Sequence, residues 1–173
     1  MSTTDKLILD PIKTTFDQLD AVRVGMLGVE GAHHHMQPMT HHLDREEGAL
    51  YFIASRDTDL IRDVGLGATA HYCLVGKDQD FHACFKGPLE QFEDEQRLDK
   101  IWSPFAAVWF DKGREDPRVC LLRLMLHDAE VWSSDDNAVS VGWEMAKTLL
   151  GAEDRPDIGA HRTIDFRTLD AAA

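Results

Sequence analysis

The 173 residues carry 31 acidic against 18 basic side chains, a formal charge of −13 at pH 7, which repels nucleic-acid phosphates and anionic membrane surfaces and argues against binding to either. The length suits one domain with its own core, expected over residues 1–173 with the core at about 13–151 and a polar tail over 152–173. Three cysteines, Cys73, Cys84 and Cys120, show no CxxC spacing, so neither a disulfide framework nor a zinc ribbon is suggested; with no basic-then-apolar leader and no bilayer-length apolar run, the expected location is the cytoplasm.

Residues 1–12 are polar and lead past Pro11 into a short helix around Lys13–Leu19. Val22–Val29 is almost continuous in apolar and small residues, as a strand buried on both faces would be, with Gly25 and Gly28 marking close backbone approach or bulges. Glu30-Gly31-Ala32 is a turn, and His33-His34-His35 begins the next strand, which continues through Thr40. Together with His41 and His42 this run invites a metal-site reading, but adjacent strand residues point to opposite faces, so no metal is assigned and a polar strand mouth is favoured. Asp44-Arg45-Glu46-Glu47-Gly48 is a charged hairpin turn, and Leu50–Ser55 a strand rich in aromatic and branched residues. Ser55, Thr58 and Asp59 then stand at a helix start, with Leu60, Ile61 and Val64 as its apolar face. Such a start either holds an anion on its free N–H groups or is simply capped by Thr58 or Asp59.

Ala68–Val75 and Phe81–Phe92 follow as two strands around a turn, and Gly87-Pro88 predicts a bulge or bend in the second. Glu93–Ile101 reads as a charged helix broken at Trp102-Ser103-Pro104, Phe105 to Phe110 as a further turn of helix, and Arg118 to Trp132 as one central strand. A last helix capped at Asp136 or Asn137 carries Val139, Trp143, Ala146 and Leu150 at helical spacing and stops at Gly151. The tail beyond lacks a sustained period and is expected to drape over the surface or a partner. Hydrolase, nucleotide-kinase and zincin motifs are absent, and no catalytic residue is assigned. Six strands with short helices suggest a closed or partly closed antiparallel barrel.

The order of Val22–Leu27, His35-Met36-Gln37-Pro38-Met39-Thr40, Leu50–Ser55 and Arg56-Asp57-Thr58-Asp59, continued by Ile101–Phe110 and Cys120–Leu124, resembles the general stress protein 26-like branch of the pyridoxamine-phosphate-oxidase-related flavoproteins. The resemblance implies a mainly β (α+β) fold, a six-stranded antiparallel split β-barrel with peripheral helices, paired as a twofold homodimer and holding FMN. Met36, Gln37, Pro38, Met39 and Thr40, with Ile53, Ala54 and Ser55, would then flank the ring and ribityl chain. The phosphate would lie at the helix start, among Ser55, Arg56, Thr58, Asp59 and Leu60. Trp102 and Trp109 are either a wall contributed by the second subunit or core packing.

Where the family commonly reads Arg-Pro-Met, this chain has Gln37; where it commonly reads Ser or Thr, Arg, Asp, Ser, His, Lys, this chain has Ser55, Arg56, Asp57, Thr58, Asp59, Leu60. Two cations of the phosphate clamp are thus replaced by Gln37 and Leu60, and Asp59 adds a negative charge. At about 1.5–3 kcal/mol per charge-assisted contact, FMN binding should weaken on the order of a hundredfold. Arg56, Arg62 or Arg23 could compensate, and Leu60→Lys or Gln37→Arg should restore affinity. Three functions follow from the resemblance and its departures: an FMN-dependent oxidoreductase with a reduced nicotinamide dinucleotide as donor, a flavin- or haem-binding stress protein without turnover, and a barrel that has lost its cofactor and acts through protein contacts.

Overall fold

Strands dominate because apolar residues recur at every second position through most of the chain, and in the computed structural model, which describes residues 1–134 and 159–168, they form one antiparallel sheet. The elements in order are α1 (Thr3–Leu9), α2 (Pro11–Ala21), β1 (Val24–Val29), β2 (Gln37–Thr40), β3 (His42–Asp44), β4 (Ala49–Ser55), α3 (Asp59–Val64), β5 (Ala68–Val75), β6 (Phe81–Phe92), α4 (Glu95–Ile101), α5 (Pro104–Ala107), β7 (Val119–Met125), β8 (Asp128–Ser134) and β9 (Gly159–Asp165). The two N-terminal helices start where their side chains can cap them. Ser2 and Asp5 form a reciprocal capping box on α1, and Asp10 accepts from the Lys13 N–H at the start of α2, where Pro11 takes a position that needs no donor.

The sheet runs β2-β1-β5-β6-β7-β4-β3, with β8 added on β6 and β9 on β8. β2 and β3 lie at opposite ends of this path yet are separated in sequence by His41 alone. The sheet therefore has to curl until its ends meet, which makes a half-barrel and sets β2 against β4. Leu27, Leu50, Phe52, Tyr72, Phe85 and Leu122 fill the inside, and Leu7, Phe16 and Leu19 of the first two helices close it. The outer face of β4 and β7 is covered as well: Ala49, Tyr51, Val119 and Leu121 pack with Leu98 and Phe110 in a second cluster. At roughly 1.5–3 kcal/mol for each large apolar side chain fully buried, these two clusters supply the main driving force for this curl.

The mainly β split-barrel architecture is as expected, with nine strands among the described residues rather than six. One addition is β3, split from β2 because His41 turns inward between them. Another comes from 118–132, which is two strands. β7 pairs with β4 and with Leu89–Phe92 of β6, while β8 pairs with Phe81–Lys86 of the same strand. The changeover falls at Gly87, where a Cβ would overlap the Met125 carbonyl oxygen; the Leu126 and His127 N–H groups hold the crossing on Gly48 and Lys86 carbonyls. The third is β9, inside the segment expected to drape: it pairs along β8, and Phe166 beyond it stacks on Phe16 at 5.5 Å between centroids. Three further expectations are corrected. β1 is buried on one face only, since Val24 and Met26 are exposed; β2 begins at Gln37, leaving His33–Met36 in an exposed loop; and α5 ends at Ala107. The last helix, with Val139, Trp143, Ala146 and Leu150, lies outside the described residues.

Candidate flavin site

At the end of β4 the ladder continues for one more bond, from the Arg56 N–H to the Arg118 carbonyl at 2.8 Å, and the chain then turns into α3. The hydroxyls of this turn are already engaged. Ser55 Oγ donates to Asp57 Oδ1 at 2.5 Å, and this bond is the main cause holding the Asp57 carboxyl below its usual range. Thr58 has the extended backbone of an N-cap, but its Oγ1 turns back to donate to the Ser55 carbonyl at 2.8 Å and makes no cap bond to the helix. Asp59, in the first turn of α3, is ion-paired with Arg62, whose guanidinium also donates to the Asp57 carbonyl at 3.2 Å. The loop before β2 is tied to the same helix: His34 Nδ1 lies 2.8 Å from Asp63 Oδ2 and His34 Nε2 3.6 Å from Asp59 Oδ2.

The three arginines considered as replacement cations are thus distributed differently. Arg62 is neutralised by Asp59. Arg56 reaches across the sheet end to Gln91 Oε1 at 3.2 Å and lines a cavity of about 280 Å³ whose wall includes Phe92, Glu93, Asp94, Glu95 and Cys120. Arg23 sits with His41, His42, Lys100 and Asp20 around a second cavity of about 240 Å³ that shares no wall residue with the first. Among these histidines His42 is held below its ordinary pKa by burial and then by Arg23.

The remaining candidate residues fall into three groups. On β2, Pro38 and Thr40 stand opposite Met26 and Val24 on the outer face, while Gln37 and Met39 stand opposite Leu27 and Gly25 on the inner one; Met36 lies over Gly28, where a Cβ would come within 2.7 Å of its Cγ. On β4, alternation sends Ala54 into the barrel core and leaves Ile53 and Ser55 half-buried on the other face, where Ile53 packs against the outer cluster that Trp102 also joins. Trp102 is half-buried and lies 5.8 Å from Phe110 between centroids, whereas Trp109 is 71% exposed. Leu60 is 4% exposed and belongs to the barrel core. It therefore does not stand on the solvent side of the turn, where a substituted cation would be needed.

These contacts answer whether FMN fits. Met39 faces the barrel core, whereas Pro38 and Ile53 stand on outward faces and Ile53 already packs in the outer cluster, so these residues form no single apolar platform for a flat ring. At the phosphate end the hydroxyls are spent within the turn, Arg62 is paired with Asp59, and Asp57, Asp59 and Asp63 crowd α3, so among the described residues Arg56, bonded to the neutral Gln91, is the cation left to meet a phosphate. Sequence reasoning found the turn but not its internal bonds, and it missed Gln91 and His34, whose partners lie 35 and 29 residues away. The five neighbouring histidines do not converge, and among the described residues no group of three or more His, Cys, Asp or Glu side chains is placed to hold a metal.

A curled antiparallel sheet closed by a single residue between its end strands, with helices over one opening, defines a split barrel. The family profile described as pyridoxamine 5'-phosphate oxidase like matches residues 10–157, and the chain belongs to that family. Among solved structures it is similar to a general stress protein 26 candidate from Jannaschia sp. CCS1, at 33% identity over 91% of this chain and 99% of the other, with a TM-score of 0.74. It is also similar to the general stress FMN/FAD binding protein of Xanthomonas citri, at 30% identity over 72% and 89% of the two chains, with a TM-score of 0.66. A candidate general stress family protein of Xanthomonas campestris pv. campestris matches at 30% identity over 79% and 93%, also at 0.66. No curated protein matches the sequence.

Proposed function

We propose that this chain is a flavin-binding protein of the general stress type whose phosphate clamp is weakened, and which therefore holds FMN loosely. Family membership and the Xanthomonas citri relative's flavin-binding description support the ligand class. The observation that carries the loose grip is the Ser55–Asp59 turn, whose hydroxyls and neighbouring guanidinium are satisfied within the protein. A phosphate placed there would have to displace the internal bonds of Ser55 and Thr58 and lie beside Asp57 and Asp59, with Arg56 as its cation, in a chain of net charge −13.

The test is a fluorescence titration of FMN against riboflavin. The two should bind within about threefold of each other, because the phosphate adds no net attraction, and Gln37→Arg should tighten FMN by roughly tenfold while leaving riboflavin unchanged. Leu60→Lys is a poorer variant, since an amine there must be desolvated in the core. Wild-type binding of FMN a hundredfold tighter than riboflavin would sink the proposal, and failure of both flavins would leave action through protein contacts. As a flavoprotein it would act as an oxidoreductase drawing on a reduced nicotinamide dinucleotide, followed as NADH or NADPH consumption with FMN added in excess. It would work as a twofold homodimer.

A further inference from the structure

Cys73 on β5 and Cys84 on β6 stand directly opposite each other in the sheet. The Gly76 N–H donates to the Phe81 carbonyl at 2.7 Å at the end of this hairpin. Counting back through the alternation of bonded and non-bonded pairs makes Cys73 and Cys84 a non-hydrogen-bonded pair, the kind whose side chains approach most closely. Their Sγ atoms are 3.5 Å apart, and His71 Nδ1, two residues along β5 on the same face, lies 3.7 Å from Cys84 Sγ. Both thiols are free and half-buried, on the outer face beside exposed Met26. A disulfide needs about 2.05 Å between sulfurs and tolerates the Cα separation of any directly opposed antiparallel pair. Closing the gap takes roughly 1.5 Å of side-chain movement and no change of register.

We propose that Cys73 and Cys84 form a reversible thiol-oxidation site, a dithiol that reacts with small uncharged hydroperoxides and closes to a cross-strand disulfide. In the first step the Cys73 thiolate attacks the terminal oxygen of the hydroperoxide; the O–O bond breaks, an alcohol or water leaves, and Cys73 becomes a sulfenic acid. In the second the Cys84 sulfur attacks the sulfenic sulfur, the S–O bond breaks, and the hydroxyl departs as water with the Cys84 proton, passed through His71 Nδ1. The balance is two thiols and one hydroperoxide giving one disulfide, one alcohol and one water, with two electrons moved from sulfur to oxygen.

The order of steps follows from the surroundings. Cys84 is the sulfur with His71 Nδ1 at 3.7 Å to take its proton as it attacks, so it serves as the resolving partner and Cys73 as the first to be oxidised; burial first, and then the Cys73 sulfur and the carboxylates of Asp128 and Glu130, push the Cys84 thiol up. The same two carboxylates and the charge of −13 disfavour an anionic oxidant such as glutathione disulfide. Cys120 is an internal control: it is buried, its Sγ donates to the Ala54 carbonyl at 3.4 Å, and burial pushes it up to about 11.

The experiment counts thiols in the native protein, without added flavin, before and after excess hydrogen peroxide. Expected are a fall from three reactive thiols to one on subsequent unfolding, a mass loss of about 2 Da in the monomer, a peptide linking Cys73 to Cys84, and full recovery with dithiothreitol. In Cys84→Ser the Cys73 sulfenic acid should persist and be trapped by dimedone, and His71→Asn should slow closure without preventing it. Three thiols surviving peroxide in the wild type would overturn the site, as would cross-linking only between molecules. A Cys84→Ser protein that gives no dimedone adduct would overturn the assignment of Cys73 as the attacking sulfur.

Discussion

His41 shows how one buried side chain couples this fold to pH. It is 2% exposed, with Nε2 2.9 Å from the Leu19 carbonyl and Nδ1 2.7 Å from the Tyr72 hydroxyl. A carbonyl only accepts, so in the neutral ring Nε2 carries the proton and Nδ1 competes with the Met39 carbonyl, 3.1 Å away, for the single proton of the Tyr72 hydroxyl. Burial is the main cause that pushes its pKa down to about 4; His42 and Arg23 act in the same direction, while the bond to Leu19 and the charge of Asp20 oppose. Because the folded value lies below the unfolded one, the unfolded chain binds the extra proton. The stabilisation is complete above about pH 6.5 and is lost as pH falls towards 4, with a span of about 3 kcal/mol. Urea unfolding between pH 4 and 7 should show this slope, and His41→Gln should flatten it; an unchanged slope in the variant would mean other groups cause it. In the sequence His41 is one of two histidines at a polar strand mouth, and nothing local says that α2 docks over it. The same holds at the candidate site: Ser55, Arg56, Thr58 and Asp59 are legible as a helix start, but which hydroxyl bonds to which carboxylate is set by rotamers that sequence spacing does not encode.

Gly87 carries a comparable weight for the sheet. β6 is shared, its first half pairing with β8 and its second with β7, and the backbone of Met125 crosses over Gly87 at the changeover. No other residue leaves room there, so Gly87→Ala should destabilise the protein by roughly 3 kcal/mol or more, measured as a fall in the urea midpoint at unchanged slope. A loss below about 1 kcal/mol would show that the crossing can shift sideways. The sequence of strands and the start of α3 were legible because each has a local signature, whereas α1 was not expected, α2 begins at Pro11 rather than Lys13, and β6 runs through Gly87-Pro88 with its β5 register unbroken where a bulge or bend was read. The β7–β8 division was not legible, because Leu126-His127 contains no turn residue and the break is imposed by the partner strand. β9 was missed for a different reason: within it only Ile164 is buried, too little alternation to stand out from a polar tail.

At the scale of the whole molecule, the apolar surface outside the barrel argues for self-association. Phe105, Val108 and Trp109 are 68%, 80% and 71% exposed on and just after α5, next to the cluster in which Trp102 packs against Phe110. Contiguous exposed aromatic and aliphatic side chains of this kind mark an interface, and a face that meets its own copy about a twofold axis closes after two subunits. Light scattering should therefore give a dimer, and Val108→Asp combined with Trp109→Lys should give a monomer with an unchanged circular dichroism spectrum, since neither side chain is in the core. Charge sets the salt dependence of this equilibrium. Two protomers of −13 repel each other, so raising ionic strength from about 0.01 to 0.15 M, which shortens the Debye length from about 30 to 8 Å, should strengthen the dimer. A dimer that instead dissociates with salt would be held by ion pairs rather than by the α5 face, and a wild-type monomer at micromolar concentration would leave that face without its second copy.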